Sequence, residues 1–230
     1  MVKREVSIKR YATAFVFTCL IFIIGIFVGN FFSDGRVDYL KDLAYQQQLD
    51  YRSLELQSLY ISSFEISNES CLAFKKVLER SLEDVASAQS KVEMYMRQEN
   101  DKRYTDIKRE YSMAQIRYLL LDKKLREICN FDTVPLLYFY SDRECPGCNP
   151  QGTILTYLKE KIKDKLLIFS LDVDFADEPL IDLFEVRYNV TEVPSILIND
   201  TLHEGIILKE DILNEICNLY KTAPGICRED

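Results

Sequence analysis

Residues 134–148 decide the fold and read VPLLYFYSDRECPGC. The first seven residues form a short apolar run rich in aromatic side chains, which is typical of a buried β-strand. Four polar residues follow, and the stretch ends in two cysteines separated by a proline and a glycine. This order predicts a buried strand that delivers a C-x-x-C motif to the N-terminus of a helix.

Two cysteines at a helix N-terminus favour thiol chemistry. The helix dipole stabilises a negative charge on the first cysteine, so Cys145 is predicted to be the nucleophile and Cys148, one helical turn on, to resolve the mixed disulfide. Pro146 and Gly147 complete the motif. Zinc knuckles use the same spacing, but zinc needs four ligands and the chain has one histidine, His203, and no second C-x-x-C. We therefore expect no metal.

The C-terminal third alternates strands and helices. We expect strands at 166–173, 195–198 and 205–208, the last two flanking a turn at Asn199-Asp200, and helices at 153–163, 179–188 and 210–220.

Residues 134–220 resemble the thioredoxin-like superfamily, in the C-x-x-C motif after a strand and in the segment Val193-Pro194-Ser195. The resemblance implies an α/β domain whose central mixed sheet is flanked by helices. It implies that Pro194 is cis and that the Val193 backbone binds the substrate chain in extended form. It implies thiol–disulfide exchange and no cofactor.

The motif departs from that family at three points. Glu144 stands before the first cysteine, where the family usually has tryptophan, and Phe139 stands where it often buries an acid. The central dipeptide is Pro-Gly rather than Gly-Pro. We expect Asp142 and Glu144 to raise the pKa of Cys145, opposing the helix dipole. The direction of the net reaction is left open.

The N-terminal region contains a long uncharged stretch. Residues 11–33 carry no charge and are rich in Ile, Phe, Val and Leu, and a bilayer span takes roughly 20 such residues. We expect a transmembrane helix rather than a cleaved signal peptide or a buried core helix. Basic residues within 1–10 place that tail in the cytoplasm and the C-terminal domain outside, as a single-pass membrane protein.

Residues 34–130 have the composition of a helical stalk. Apolar residues recur at spacings of three and four in two segments, which predicts an antiparallel, coiled-coil-like hairpin over 70–129. Cys71 and Cys129 are equidistant from Asn100, so a turn there places them side by side at its base. We expect a Cys71–Cys129 disulfide, with two buried free cysteines as the alternative. The hairpin is a spacer by default, or else docks a partner or forms a homodimer.

Cys217 and Cys227 bracket a Pro224-Gly225 turn. They could pair and fix the C-terminus, or remain free thiols. With Cys145–Cys148 and Cys71–Cys129, such pairing suits an oxidising compartment.

The sequence thus predicts a thioredoxin-like domain at 131–230 held by the stalk and the anchor. Its function would be dithiol–disulfide exchange on cysteines of exported or membrane proteins, with a separate redox partner. The net charge of −8 argues against nucleic-acid binding. The alternative is a non-catalytic thioredoxin-like scaffold whose hairpin engages a partner protein.

Overall fold

The structure is a computed structural model of the 230-residue chain. It describes residues 9, 11–27, 45, 48–49, 52–53, 56, 68–95 and 102–228. The chain divides into two units, Met1–Phe64 and Glu65–Asp230.

In the first unit, residues 11–27 are helical. Within the described part of the chain, no helix combines the length and the apolar character needed to cross a membrane. This finding corrects the transmembrane helix predicted at 11–33, and with it the single-pass membrane localisation. Residues 28–33 of the predicted span lie outside the described residues.

The second unit begins with a pair of antiparallel helices, α1 (Asn68–Tyr95) and α2 (Lys102–Cys129). Their direction follows from the contacts between them: Lys91 pairs with Glu110, and Asp84 with Arg117. The helices therefore form the predicted hairpin, although the turn expected near Asn100 lies outside the described residues.

The Cys71 and Cys129 sulfur atoms are joined at the base of this hairpin, with a Cα–Cα distance of 5.5 Å. Closing so long a loop stabilises the folded chain by roughly 4 kcal/mol in the chain-entropy account.

The remainder of the second unit is a sheet with helices on both faces. Its elements are β1 (Val134–Tyr140), α3 (Cys148–Ile162), β2 (Leu166–Asp172), α4 (Pro179–Tyr188), β3 (Ser195–Ile198), β4 (Thr201–Glu204) and α5 (Lys209–Cys217). The strand order is β2-β1-β3-β4, with β1 parallel to β2 and antiparallel to β3. This is the mixed sheet that the thioredoxin-like resemblance implies.

Alternation along β1 divides the core into two layers. One layer joins the sheet to α3 and α5 and contains Leu136, Tyr138, Leu155, Leu158, Ile196, Ile212 and Ile216. The other joins the opposite face to α2 and α4 and contains Ile116, Leu119, Leu137, Phe139, Phe169, Ile181 and Leu197. Helix α2 therefore contributes to the core of the sheet. The domain boundary predicted near residue 131 stays a prediction.

Two predicted elements begin four or more residues away from their predicted starts. Helix α3 starts at Cys148 rather than 153, because Pro150 lies in its first turn, where a proline costs no helical hydrogen bond. Strand β4 occupies 201–204 rather than 205–208. Asn199 and Asp200 have positive φ and make a two-residue turn, so pairing resumes at once, with Ile198 opposite Thr201.

At the C-terminus, the sulfur atoms of Cys217 and Cys227 are also joined, with a Cα–Cα distance of 5.6 Å. Cys217 is the last residue of α5, and Cys227 lies in a 3₁₀ turn over Gly225–Arg228. This disulfide ties the chain end to the last helix.

Strand β2 is an edge of the sheet, and a side chain of α2 covers part of that edge. The buried Gln115 donates from Nε2 to the carbonyl of Ser170 at 3.0 Å and accepts from the Ser170 N–H at Oε1 at 2.8 Å. One amide thus makes the two hydrogen bonds that a neighbouring strand would make.

We predict that Gln115→Leu lowers the free energy of unfolding by about 1–3 kcal/mol, because the Ser170 N–H and C=O lose their partners. Urea unfolding measures the change. The control is Gln89→Leu: Gln89 is exposed on α1, and its one bond among the described residues is to Glu93, so its loss should cost within about 0.5 kcal/mol. Equal, small changes in both variants would contradict the role given to Gln115.

Candidate active site

The two cysteines of the C-x-x-C motif lie between the end of β1 and the start of α3. Their sulfur atoms are joined, and the Cys148 N–H donates to the Cys145 carbonyl at 3.1 Å. Cys145 is half-buried, whereas Cys148 is only 6% exposed. A reagent from solvent therefore reaches Cys145 first, and the first turn of α3 directs backbone N–H groups toward it.

The loop that precedes Cys145 is held by Ser141. Its hydroxyl donates to Asp174 Oδ2, just beyond β2, and accepts from the N–H groups of Arg143 and Glu144. These bonds fix the loop to the carboxyl end of β2, so that the backbone enters the motif in one conformation.

The Val193–Pro194 peptide bond is cis. The Pro194 carbonyl accepts from the Gly205 N–H at 2.8 Å. A Cβ atom built on Gly147 would lie 3.1 Å from Pro194 Cδ and 3.0 Å from Ile206 Cγ1. The structure thus brings Pro194, and Val193 before it, against the Cys-Pro-Gly-Cys turn.

The Val193 backbone has the bonding capacity that strand addition requires. Among the described residues, none donates to its carbonyl or accepts from its N–H. Beside it, the exposed Glu204 carboxylate accepts from the Thr191 N–H and hydroxyl at 2.9 and 2.7 Å, which holds the neighbouring loop. An extended chain laid along Val193 would find an open donor and an open acceptor.

Tyr138 of β1 forms a hydrogen bond with the second cysteine of the motif. Its hydroxyl donates to the Cys148 carbonyl at 2.6 Å. Burial, with a smaller contribution from Asp142, raises the pKa of Tyr138 to about 12. The phenol therefore remains a donor at neutral pH and holds the first turn of α3 against β1.

A buried lysine from the hairpin reaches the same region. Lys108 of α2 donates to Asp142, in the loop before Cys145, and to Asp172, at the end of β2, each at 2.5 Å. Burial acts to lower the pKa of Lys108, but the hydrogen bonds to the two carboxylates raise it above its ordinary value. The lysine is therefore charged at neutral pH.

Sequence reasoning missed Lys108. It treated Asp142 as an unopposed negative charge, and Lys108 lies too far away in the chain for a motif to connect them. The sequence offered one local signal. Lys108 follows Ile107 and lies between Tyr104 and Tyr111, three residues of the apolar repeat that predicted this helix.

The structure shows the surroundings of two of the three departures from the family, Phe139 and Glu144. Phe139 is fully buried in the layer formed with α2 and α4, so its position holds no carboxylate. Glu144 is exposed at the rim of an open cleft of about 1390 Å³ that also contains both cysteines and Tyr111. In the described part of the chain, no group of three or more His, Cys, Asp or Glu side chains could hold a metal ion.

No family model matches the chain, and no curated protein matches it. Several solved structures are similar to part of it. Chloroplastic thioredoxin z is 19% identical, and the match covers 43% of this chain and 88% of that one, with a TM-score of 0.34. Malaria parasite thioredoxin-2, described as a component of the parasite's protein secretion machinery, is 22% identical over 35% and 77%, with a TM-score of 0.28.

A third structure, described as a malarial protein, is 19% identical over 39% of this chain and 99% of its own, with a TM-score of 0.31. TM-scores this low carry no argument about function. The thioredoxin-like description therefore depends on the strand order, the position of the two cysteines and the neighbouring cis-proline.

We predict that Gly147→Ala lowers the free energy of unfolding by about 1 kcal/mol, because the new methyl group presses on Pro194 and Ile206. The control is Gly152→Ala on α3, where the added Cβ meets only Tyr138 at 3.9 Å. That change should stabilise the protein by about 0.5–1 kcal/mol, as alanine does inside a helix. Urea unfolding compares the two, and a gain of stability in Gly147→Ala would contradict the close contact.

Proposed function

We propose that this protein is a thiol–disulfide oxidoreductase that exchanges disulfides with cysteine-containing proteins through Cys145 and Cys148. The observation that supports it most is an accessible and a buried cysteine at one helix N-terminus, with a cis-proline packed close to the Gly147 that lies between them. That arrangement provides a nucleophile, a resolving thiol and an open backbone for a substrate chain.

The reduced Cys145–Cys148 pair reduces a substrate disulfide, and is itself oxidised, in two steps. The Cys145 thiolate attacks one sulfur of a substrate disulfide, forming a mixed disulfide and releasing the other substrate sulfur as a thiolate. The Cys148 thiolate then attacks Cys145 Sγ, which re-forms the Cys145–Cys148 bond and releases the second substrate thiolate. Two electrons pass to the substrate, and its two thiolates take up the protons that the enzyme thiols lost.

The same steps in reverse transfer a disulfide to a substrate dithiol. Net direction follows from the reduction potential of the pair against that of its redox partner, a dithiol or disulfide protein. The residues that surround Cys145 set that potential through the stability of its thiolate.

Substrate binding is assigned to the Val193 backbone. A cysteine-bearing segment in extended conformation would pair with the Val193 N–H and C=O, and Ile206, which is 56% exposed beside Gly147, would contact its side chains. This geometry selects accessible, unstructured segments rather than a particular sequence.

We predict that the full chain carrying Cys148→Ser, reduced and mixed with glutathione disulfide, accumulates a stable mixed disulfide at Cys145. The adduct persists because the resolving thiol is gone. Cys145→Ser should form little adduct, since Cys148 is buried. Mass spectrometry of peptides digested without reductant locates the adduct.

Equal modification of the two variants would contradict the assigned roles. No adduct at Cys145 would contradict the enzyme, and would favour a scaffold in which the Cys145–Cys148 bond is structural.

A further inference from the structure

Outside the cysteine pair, a buried lysine of α2 forms ion pairs next to the proposed active site. Lys108 is 10% exposed at its side chain, and its ammonium group contacts Asp142 and Asp172 at 2.5 Å. The Asp172 side chain is buried, whereas that of Asp142 is 53% exposed. The lysine thus joins one buried and one exposed carboxylate.

The loop of residues 141–144, which precedes Cys145, carries two negative charges and one positive charge. Asp142 and Glu144 precede Cys145, and both Asp142 and Cys145 line the same cleft. The other titratable groups lining that cleft come from the hairpin, from β1, from the loop and from α3: Tyr111, Tyr138, Tyr140, Arg143, Tyr157, Lys159 and Glu160. Lys159 is bonded to the carbonyls of Lys163 and Leu166, toward the far end of α3.

We propose that Lys108 is a positioning residue of the exchange reaction, which keeps Cys145 reactive by neutralising Asp142 and by holding it and Asp172 in one ion cluster. This inference depends on the proposed function for its biological meaning. It assigns to the hairpin a part in the chemistry that a spacer would not have.

Lys108 with its two carboxylates carries a net charge of −1, and without the lysine the same site carries −2. A nearby uncompensated carboxylate disfavours the thiolate form of a cysteine. Because the thiolate is the nucleophile, the loss of Lys108 slows attack by Cys145 at neutral pH.

A purely structural role makes a different prediction. Buried ion pairs are weak evidence for stability, and removing one partner mainly leaves an uncompensated charge. A residue that only held α2 to the sheet would change the free energy of unfolding while leaving the titration of Cys145 in the folded protein unchanged. The readout must therefore be the pH profile of the Cys145 thiol.

The experiment measures the rate at which iodoacetamide alkylates Cys145 in the reduced full chain between about pH 4 and 10, which spans the ordinary thiol pKa of about 8.5 and most of the lowered range of about 3.5–7.5. Peptide mapping assigns the alkylated cysteine. Lys108→Met is compared with the wild type. A second comparison covers the case in which Lys108→Met fails to fold: the double variant Lys108→Met/Asp172→Asn is compared with Asp172→Asn. These two variants differ only at the lysine, and neither has a buried charge at Asp172.

Two further variants serve as controls. Lys108→Arg keeps the charge and should behave like the wild type. Lys75→Met removes an equal charge from an exposed pair with Glu79, in the turn of α1 that follows Cys71.

We expect each loss of Lys108 to raise the midpoint of the Cys145 profile by about half to one pH unit and to slow alkylation at pH 7 about three- to tenfold. Adding Asp142→Asn to Lys108→Met should return the profile to near the wild type. Midpoints that do not move in either comparison, or that move equally in Lys75→Met, overturn the inference.

The same samples separate this inference from the proposed function. Alkylation requires only a thiol, so the Lys108 result stands whether or not Cys145 exchanges with a disulfide. If the wild-type pair fails to exchange with glutathione while the midpoint still moves with Lys108, the function is wrong and the electrostatic assignment holds.

Discussion

The pairing of β1 with two strands at once is the constraint on which the rest of the site depends. Because β1 lies between β2 and β3, its carboxyl end is fixed, and the chain must leave it beside the ends of its neighbours. That exit places the Ser141 loop against Asp174 and the first turn of α3 above Tyr138. The cis-proline precedes β3, so the same sheet brings it against Gly147. One register thus brings together the two cysteines of the motif and the cis-proline.

The helical hairpin completes this sheet rather than only extending from it. Helix α2 covers one face, and Gln115 satisfies the backbone of Ser170 at the edge strand. Arg109 lies 3.2 Å from the buried Glu178, whose carboxylate also caps α4 by accepting from the Leu180 N–H. Lys108, one residue earlier, reaches the loop before Cys145. A single stretch of α2 therefore contacts the edge strand, the neighbouring helix and the loop before Cys145.

Much of the sheet could be predicted from local patterns. The strand at 134–140 and the helix at 179–188 are confirmed at their predicted bounds, since an apolar run and a proline at the first helical position are strong signals. Strand β4 was misplaced because the apolar residues 206–208 suggest a strand. In the structure Ile207 bonds instead to the Gln151 side chain and Ile206 is exposed beside the motif.

What the sequence could not provide were the contacts between distant segments. The spacing of apolar residues predicted a helical hairpin over 70–129, but that pattern says only which residues face the other helix. It does not reveal that α2 also faces a sheet, nor that a lysine on it meets Asp142 and Asp172. The long uncharged stretch at 11–33 was interpreted by length and hydropathy alone, and no helix among the described residues is both long and apolar enough to cross a membrane.

The central claim is that Cys145 and Cys148 form a reversible redox pair. The most direct test is a redox titration of the full chain in glutathione buffers, with alkylation reporting the Cys145–Cys148 state and Cys145→Ser as the control. The account predicts a two-electron transition with a midpoint between about −270 and −120 mV, the span of known catalytic pairs. A pair that stays oxidised to below about −300 mV, as structural disulfides do, would contradict it.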